Sequence, residues 1–241
     1  MKPVDLLLKV PAHFARSLYH KTVPLSIRRA PLVVKVKLWA YKRFLPHDVL
    51  YDGGYFEGVD LYARRSASSI AASILKDFSP KSVVDVGCGT GALLFELKQK
   101  GCSTYGLEYA DAAIRFCRSR GLTVTKLDLE NDDFVPEKKF DVAISTEVAE
   151  HLPESVADRY LRLLSSLSDQ VVFTAAPPGQ GGEDHVNEQP PEYWIAKFNA
   201  LGFQHDRELS GRWQQNWKEN GQVAQWYWDN LMIFRKKQTP D

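Results

Sequence analysis

The sequence has few cysteines and shows no cluster of metal-binding side chains. Its 241 residues include three cysteines, Cys88, Cys102 and Cys117. They are odd in number, no two are spaced as C-x-x-C, and all fall inside predicted core elements, which argues against a disulfide framework. We therefore expect reduced thiols, a cytoplasmic setting and no bound metal.

Long hydrophobic runs are also missing. Lys9 ends the apolar run Leu6-Leu7-Leu8, which is too short for a signal sequence. Nowhere do about eighteen uncharged apolar residues occur in a row, as a membrane span would need. We therefore predict that the chain does not cross a membrane. With 44% hydrophobic residues it is long enough to bury one full α/β core and to carry an extension.

The formal net charge of +1 conceals an uneven distribution. Residues 1–44 contain ten lysines and arginines against Asp5 alone, so they carry +9 and the remaining chain carries −8. Aromatic residues such as Phe14, Tyr19 and Trp39 are interleaved with these charges. We predict a basic helical extension over residues 1–50. Three interpretations stay open: packing on the rest of the chain, peripheral contact with an anionic membrane or glycolipid, and, least favoured, nucleic-acid binding.

The most informative stretch is 82–97. An apolar β-branched run ends in Gly87, Gly89 and Gly91 and continues as Ala92-Leu93-Leu94-Phe95, which predicts a buried strand, a glycine turn and a helix. Glycines allow close approach of a ligand, and free N–H groups at a helix start favour a nucleotide-type cofactor. The glycines alone fit either a nicotinamide cofactor or S-adenosylmethionine.

Acidic residues near three predicted strand ends favour the second cofactor. Asp85 precedes the glycines, where its carboxylate would repel a pyrophosphate but could meet an amino-acid ammonium group. Glu108 follows the second predicted strand, about twenty residues past the glycines, a spacing at which an acid hydrogen-bonds ribose hydroxyls. Asp128 ends the third predicted strand. Together the three suit a ligand with a ribose, an adenine amino group and an ammonium.

These motifs resemble the class I S-adenosylmethionine-dependent methyltransferases. The resemblance rests on the segments 84–91, 106–108, 127–129 and 140–153, in this order and at these spacings. It implies methyl transfer by a domain over residues 51–241. It also implies an α/β fold with a doubly wound, mostly parallel seven-stranded sheet that has one antiparallel edge strand. The predicted cofactor-binding residues are Asp85, Gly87, Cys88, Gly89, Gly91, Glu108, Asp128, Leu129 and Glu147.

Two histidines are candidates for a catalytic base. His151 lies four residues after Glu147, so the two would share a face if this segment is helical. His185 lies in a long loop after the fifth predicted strand, where loops usually serve a site. We rank His185 before His151, because the Glu-His-Leu turn at His151 also has a structural interpretation and occurs in methyltransferases of different chemistry. For His185 the alternative is a hydrogen bond with Asn187 at the helix entry.

Aromatic residues flank the predicted site on both sides. Residues 45–62 are predicted to form a loop whose Tyr51, Tyr55 and Tyr62 resemble a lid over the cofactor, or else pack the flank. The tryptophan-rich segment 213–228 is expected to lie between the last two strands, either stacking on an acceptor or packing the core.

The resulting hypothesis is O-methylation of a small-molecule or glycan acceptor, in surface-polysaccharide or secondary-metabolite biosynthesis. Three alternatives remain: a nicotinamide-dependent oxidoreductase, a nucleic-acid methyltransferase, and a noncatalytic cofactor-binding partner protein. Asp85 argues against the first, and the acidic charge of residues 45–241 argues against the second.

Overall fold

The computed structural model describes residues 53–182 and 184–238. The predictions for residues 1–50 and for Tyr51 concern residues outside these ranges. The described helices are α1 (Gly53–Phe78), α2 (Ala92–Gln99), α3 (Asp111–Ser119), α4 (Ala157–Leu167), α5 (Pro191–Ala200), α6 (Arg207–Asn220) and α7 (Gln225–Asp229). The strands are β1 (Ser82–Val86), β2 (Ser103–Glu108), β3 (Val124–Lys126), β4 (Val142–Thr146), β5 (Gln170–Thr174), β6 (Phe203–His205) and β7 (Met232–Lys236).

The seven strands form one sheet in the order β3-β2-β1-β4-β5-β7-β6. Strands β1 to β5 pair in parallel, and β7 is antiparallel to both of its neighbours, β5 and β6. The doubly wound, mostly parallel seven-stranded sheet is therefore confirmed. The predicted position of the antiparallel strand is wrong, because β7 lies between β5 and β6 instead of at the edge.

Alternating residues of the strands face two helical layers. Val84, Val171 and Phe173 pack with helices α4 and α5 on one face of the sheet. Val83 and Val172 pack with α1, α2 and α6 on the other. Since both faces are covered, the central strands are apolar on both sides. In the described residues no helix is both long and apolar enough to cross a bilayer.

Helix α1 begins inside the segment for which the sequence predicts a loop. Phe56, in its first turns, packs on Ala110, Ala112 and Ala113 at the start of α3. Asp60, in the third turn of α1, forms a salt bridge with Arg120, and its Oδ1 lies 2.7 Å from Nη2 of Arg120. These tertiary contacts extend the helix over residues whose glycines favour a loop locally. The loop prediction is therefore wrong for residues 53–62.

Two other predicted helix starts shift. The sequence predicts Asp111 as the cap of α3, but Ala110 occupies the capping position and Asp111 is the first helical residue, where it pairs with Lys126. The helix predicted from Pro153 divides into a 3₁₀ turn, Glu154–Val156, and α4. Neither shift moves the carboxyl ends of the strands, where the candidate site lies.

Candidate active site

The glycine loop joins β1 to α2 and shapes one end of the site. Gly87 and Gly89 have φ angles of 74° and 53°, in the left-handed region that glycine adopts without strain. The N–H groups of Gly87 and Cys88 donate to the carbonyl of Leu107 at 2.8 and 3.2 Å, which holds the loop against β2. Gly87, Cys88 and Gly89 all line a cavity at the strand ends.

Gly91 lies on the other side of this loop. It precedes the first residue of α2 and is not among the residues that line the cavity in the described part of the chain. A Cβ atom at this position would lie 2.5 Å from Cδ1 of Leu122 and 2.9 Å from Sγ of Cys117. The structure therefore shows that Gly91 packs against Leu122 and Cys117 beneath the loop, and its contact with the cofactor stays a prediction.

Asp85 is a buried carboxyl group beside the glycine loop. Its side chain lines the cavity, and Oδ1 has no hydrogen-bond partner among the described residues. Burial, and secondly the nearby charge of Glu108, raises the pKa of Asp85 to about 7. A buried carboxylate without a hydrogen-bond partner lowers the stability of the fold, and an ion pair with a cationic ligand would offset this cost.

Glu108 ends β2 and holds the glycine loop with its own carboxylate. Oε2 accepts a hydrogen bond from the N–H of Gly89 at 2.8 Å, and Oε1 accepts from those of Tyr109 and Ala110, both at 2.8 Å. Burial raises the pKa of Glu108, and the three N–H groups oppose that rise. The side chain also lines the cavity, so one carboxylate both shapes the loop and faces the space above it.

Asp128 and Leu129 line the same cavity from the β3 side. Strand β3 ends at Lys126, so Asp128 belongs to the turn after the strand, not to the strand end as predicted. Its two carboxylate oxygens accept hydrogen bonds from the N–H of Glu130 at 2.9 Å and from Nδ2 of Asn131 at 2.8 Å. These bonds fix the carboxylate at the rim of the cavity.

Glu147, after β4, belongs to a polar network of three side chains. Gln180 donates to Glu147 Oε2 at 3.1 Å, and Asn230 donates to Glu147 Oε1 at 3.1 Å and to Gln180 Oε1 at 2.9 Å. Glu147 has a φ of 55°, and the 3₁₀ turn begins only at Ala149. The shared helical face predicted for Glu147 and His151 is therefore wrong, although both side chains line the cavity.

The two candidate catalytic histidines meet at the end of the cavity. The rings of His151 and His185 are nearly perpendicular, with centroids 4.9 Å apart. Glu188 Oε1 lies 2.9 Å from Nδ1 of His185, so the bond expected with Asn187 is replaced by one with Glu188. The Glu188 carboxylate also accepts from the N–H groups of Gly179 and Gly181 at 2.8 and 2.7 Å. It thereby fixes both the loop and the ring.

Next to the histidines lies a fully buried carboxyl group, that of Glu150. Its exposure is 0%, and neither carboxylate oxygen has a hydrogen-bond partner of good geometry among the described residues. Burial, and secondly the charge of Glu147, raises the pKa of Glu150 well above its usual range. Its carbonyl accepts from the N–H groups of Val186 and Asn187 at 2.8 and 3.0 Å, which joins the turn of His151 to the loop of His185.

Aromatic residues close the cavity on the side of α1 and α7. Tyr62 and Trp226 line it, and their rings meet edge to face with centroids 5.8 Å apart. Trp213 and Trp217 instead are buried against α1, where their indole N–H groups donate to Asp77 and Ser73. The structure thus divides the tryptophan-rich segment into core residues and residues that face the site.

The cavity has a volume of about 1130 Å³. It opens at the carboxyl ends of β1, β2 and β4, where strand order reverses in a doubly wound sheet and ligands bind. With its glycine loop and acidic rim, the chain has the architecture of an α/β nucleotide-cofactor protein. More specifically, a family model described as "Methyltransferase domain" matches residues 59–225. The chain belongs to this family.

Curated relatives match part of the chain. This chain is 29% identical over 128 residues to the ubiquinone biosynthesis O-methyltransferase of Pseudomonas paraeruginosa. The match covers 50% of each chain. This chain is also 30% identical over 106 residues to the protein of the same name from Nitrosomonas europaea, covering 39% of this chain and 43% of that one. The chain therefore spans about half the length or less of these relatives.

Solved structures share the fold over a longer range. The magnesium protoporphyrin IX methyltransferase ChlM from Synechocystis, with bound SAH, has a TM-score of 0.53 and 16% identity, covering 93% of this chain and 99% of that one. The sugar N-methyltransferase KedS8 from Streptoalloteichus has a TM-score of 0.55 and 15% identity. The match covers 75% of this chain and 93% of that one. At these identities the likeness concerns the fold.

Four site residues are not predicted from the sequence: Glu150, Gln180, Glu188 and Asn230. Gln180 and Glu188 lie in the glycine- and proline-rich loop after β5, which the sequence assigns to a site only as a whole. Asn230 follows α7 and reaches Glu147 across 83 positions of sequence. No local pattern marks such a contact, whereas the length of the loop after β5 is a usable signal.

Proposed function

We propose that this chain transfers a methyl group from S-adenosylmethionine to an oxygen atom of a small-molecule or glycan acceptor. The observation that carries the proposal is one cavity that joins the glycine loop and its acids to a pair of histidines. Its volume of about 1130 Å³ leaves room for the cofactor and a small acceptor together. The named activity of the ubiquinone biosynthesis relatives, O-methylation, supports transfer to oxygen.

The residues around the glycine loop fit this cofactor. S-adenosylmethionine supplies an electrophilic methyl group and carries an ammonium group and a ribose. The unpartnered Oδ1 of Asp85 would receive the ammonium. The carboxylate oxygens of Glu108 can accept ribose hydroxyls in addition to their N–H donors. Asp128 and Leu129 would flank the adenine.

We propose that His185 and His151 activate the acceptor hydroxyl, with His185 first. A hydroxyl group is a poor nucleophile at neutral pH, so transfer to oxygen benefits when its proton is removed or its pKa is lowered. The Glu188 carboxylate on Nδ1 of His185 favours the tautomer with the proton on Nδ1, which leaves Nε2 available as a base. The histidine pair also speaks against a noncatalytic cofactor-binding protein.

The test uses a labelled methyl donor and two acceptor panels, one of phenols and one of hydroxylated sugars. We expect a product that has gained one methyl group as an ether. His185→Ala should lower turnover roughly 100-fold or more while donor affinity, measured by calorimetry, is retained. Glu108→Ala should instead weaken donor binding roughly 10- to 100-fold, the loss of a pair of charge-assisted hydrogen bonds. A wild-type protein without measurable donor affinity would contradict the proposal.

We further propose that the basic residues 1–44 contact an anionic membrane or glycolipid, which fits an acceptor of surface-polysaccharide biosynthesis. The support is their charge of +9 with interleaved aromatics. Sedimentation with vesicles containing acidic lipid should fall when these lysines and arginines are replaced by glutamine, and when salt is added. Equal sedimentation of both proteins would reject this contact.

A further inference from the structure

Three side chains beside the cavity bring metal-binding atoms together. One ligand atom each of Glu150, His151 and His185 lies within 4.8 Å of the other two. They come from two loops, the turn after β4 and the long segment after β5. The two loops contact each other through hydrogen bonds that the backbone N–H groups of Val186 and Asn187 donate to the carbonyl of Glu150.

The polar atoms of this cluster are poorly satisfied by protein groups. Among the described residues, neither carboxylate oxygen of the fully buried Glu150 has a hydrogen-bond partner of good geometry, and the same holds for Nδ1 of His151. Buried polar groups are normally paired with protein, water or an ion. Three atoms that lack a well-formed hydrogen bond, on side chains that are metal ligands by chemistry, are atoms that a shared cation would satisfy.

The surroundings of His185 fit a metal ligand as well. Its Nδ1 lies 2.9 Å from Glu188 Oε1, so the proton on Nδ1 leaves the Nε2 lone pair free. A carboxylate that accepts from the second nitrogen is the usual partner of a metal-ligating histidine, because it fixes the tautomer and the orientation of the ring. Gly182 packs against this ring, since a Cβ there would lie 2.2 Å from Nε2 and 2.5 Å from Cε1.

We propose that Glu150, His151 and His185 bind a divalent transition-metal ion, and that Zn²⁺ suits them best. Two imidazole nitrogens and one carboxylate oxygen form a ligand set of catalytic zinc sites, which keep a further position open. An all-oxygen ion such as Mg²⁺ is a poorer match. Ligand atoms around zinc stand about 3.5 Å apart, so the spacing of up to 4.8 Å found here would have to close by about 1 Å when the ion binds.

This inference rests on the proposed function and deepens it. His151 and His185 line the cavity, so the open position of the ion would face the acceptor. A hydroxyl bound there has a lowered pKa and releases its proton to solvent. As ligands, the histidines then activate the acceptor through the ion, in place of the direct proton removal that the sequence suggests for His185. The sequence predicts no metal because the ligands lie on separate loops.

The experiment measures metal binding without turnover. The full-length protein is stripped with a chelator and titrated with Zn²⁺ and, separately, with Mg²⁺ by calorimetry. Co²⁺ is then added as a spectroscopic probe of the ligands. We expect one Zn²⁺ per chain and weak Mg²⁺ binding. Glu150→Gln, His151→Ala and His185→Ala should each weaken Zn²⁺ binding about 100-fold or more, and Glu188→Gln about 10- to 100-fold.

The matched control is His205→Gln. His205 is outside the site, and its Nε2 lies 3.2 Å from Oγ of Ser210. This variant should bind Zn²⁺ as the wild type does. Glu150→Gln keeps the shape of the buried side chain, so its folded state, followed by circular dichroism, should persist even if a histidine variant unfolds. Wild-type affinity equal to that of Glu150→Gln, or an unchanged Co²⁺ spectrum in all three ligand variants, would overturn the site.

A second measurement separates this inference from the proposed function. Donor affinity is measured on the stripped protein, because the residues proposed to hold the donor, Asp85 and Glu108, are not among the three ligands. Donor binding together with turnover that is lost on stripping and restored by Zn²⁺ supports both. Turnover that persists in the fully stripped protein would overturn the role of the ion and leave the methyl transfer intact. Zn²⁺ binding without donor binding would overturn the proposed function alone.

Discussion

Arg120 and Asp60 form an ion pair that ties α1 to the glycine loop. One guanidinium nitrogen donates to both carboxylate oxygens of Asp60, at 2.7 and 2.8 Å. The same guanidinium donates to the carbonyl of Thr90, between Gly89 and Gly91. The first turns of α1, for which the sequence predicts a loop, therefore brace the cofactor end of the cavity.

Asp60→Asn should loosen this brace. Both side chains are largely buried, with exposures of 12% and 16%. Asn removes the negative charge and one of the two oxygens that accept from Arg120, which should cost about 1 to 3 kcal/mol of stability. We expect a lower thermal midpoint and a severalfold weaker donor affinity. The control is Asp111→Asn, whose ion pair with Lys126 is about half exposed and should contribute little. Equal effects of the two substitutions would contradict a specific role for Asp60.

Gly89→Ala and Gly91→Ala should impair different properties, donor affinity in the first variant and stability in the second. A Cβ at Gly91 would collide with Leu122 and Cys117, whereas a Cβ at Gly89 meets nothing within 4 Å and would point into space beside the cavity. Both positions have positive φ, which costs about 1 kcal/mol for alanine. We expect Gly91→Ala to lose clearly more stability in denaturant unfolding. Gly89→Ala should mainly weaken donor binding. The reverse order would contradict the placement of these glycines.

The stability of the donor-free protein should fall as pH rises between about 4 and about 7, the usual and the folded-state pKa of Asp85. Burial raises this pKa, so in that range the folded protein keeps a proton that the unfolded chain has lost. Asp85→Asn removes the effect and should be more stable above pH 7 by an amount on the order of 3 kcal/mol. Thermal midpoints across pH measure it. Parallel pH profiles for the two proteins would contradict the assignment.

Donor binding should also depend on the protonation state of Asp85. An ammonium favours the charged carboxylate, so binding near pH 6 should release a proton from Asp85. Calorimetry in two buffers with different ionisation enthalpies detects this release. Asp85→Asn should abolish the buffer dependence and weaken binding. A buffer dependence that survives in the variant would assign the proton to another group.

Asn230 should prove more important than its position outside any motif suggests. Asn230→Ala removes two donated hydrogen bonds, to Glu147 and Gln180, and leaves their oxygens partly buried. We expect a loss of about 1 to 3 kcal/mol. Asn230→Asp should be worse, because it places a second carboxylate beside Glu147. Asn199→Ala, on the exposed side of α5, is the control. Stability of Asn230→Asp equal to wild type would contradict the network.

The sheet and the cofactor end of the site can be predicted from the sequence for a physical reason. Strand, glycine turn and acid follow one another within a few residues at Asp85 and Glu108, so local pattern and function coincide. Gly91 shows the limit of that approach. Its motif position predicts cofactor contact, whereas its close packing against Cys117 and Leu122 is visible only in the structure.

The acceptor end can be predicted only in part. His151 and His185 are recognisable as candidates from their loops, but their meeting depends on how two loops pack. Glu150 looks like part of a turn in the sequence, because its burial, and the absence of partners for it among the described residues, are tertiary facts. The prediction for the start of α1 fails for the same reason, since Asp60 finds its partner in Arg120.

The position of β7 has a consequence for how the protein is made. Strand β7 follows β6 in sequence but lies between β5 and β6 in the sheet. During synthesis β6 therefore emerges from the ribosome before the strand that will connect it to the sheet. The edge of β5 stays unpaired until residues 232–236 have appeared, and an unpaired edge strand invites contact with other chains. The sheet reaches its final order only after β7 has been translated, and chaperone binding to the nascent chain should persist until that point.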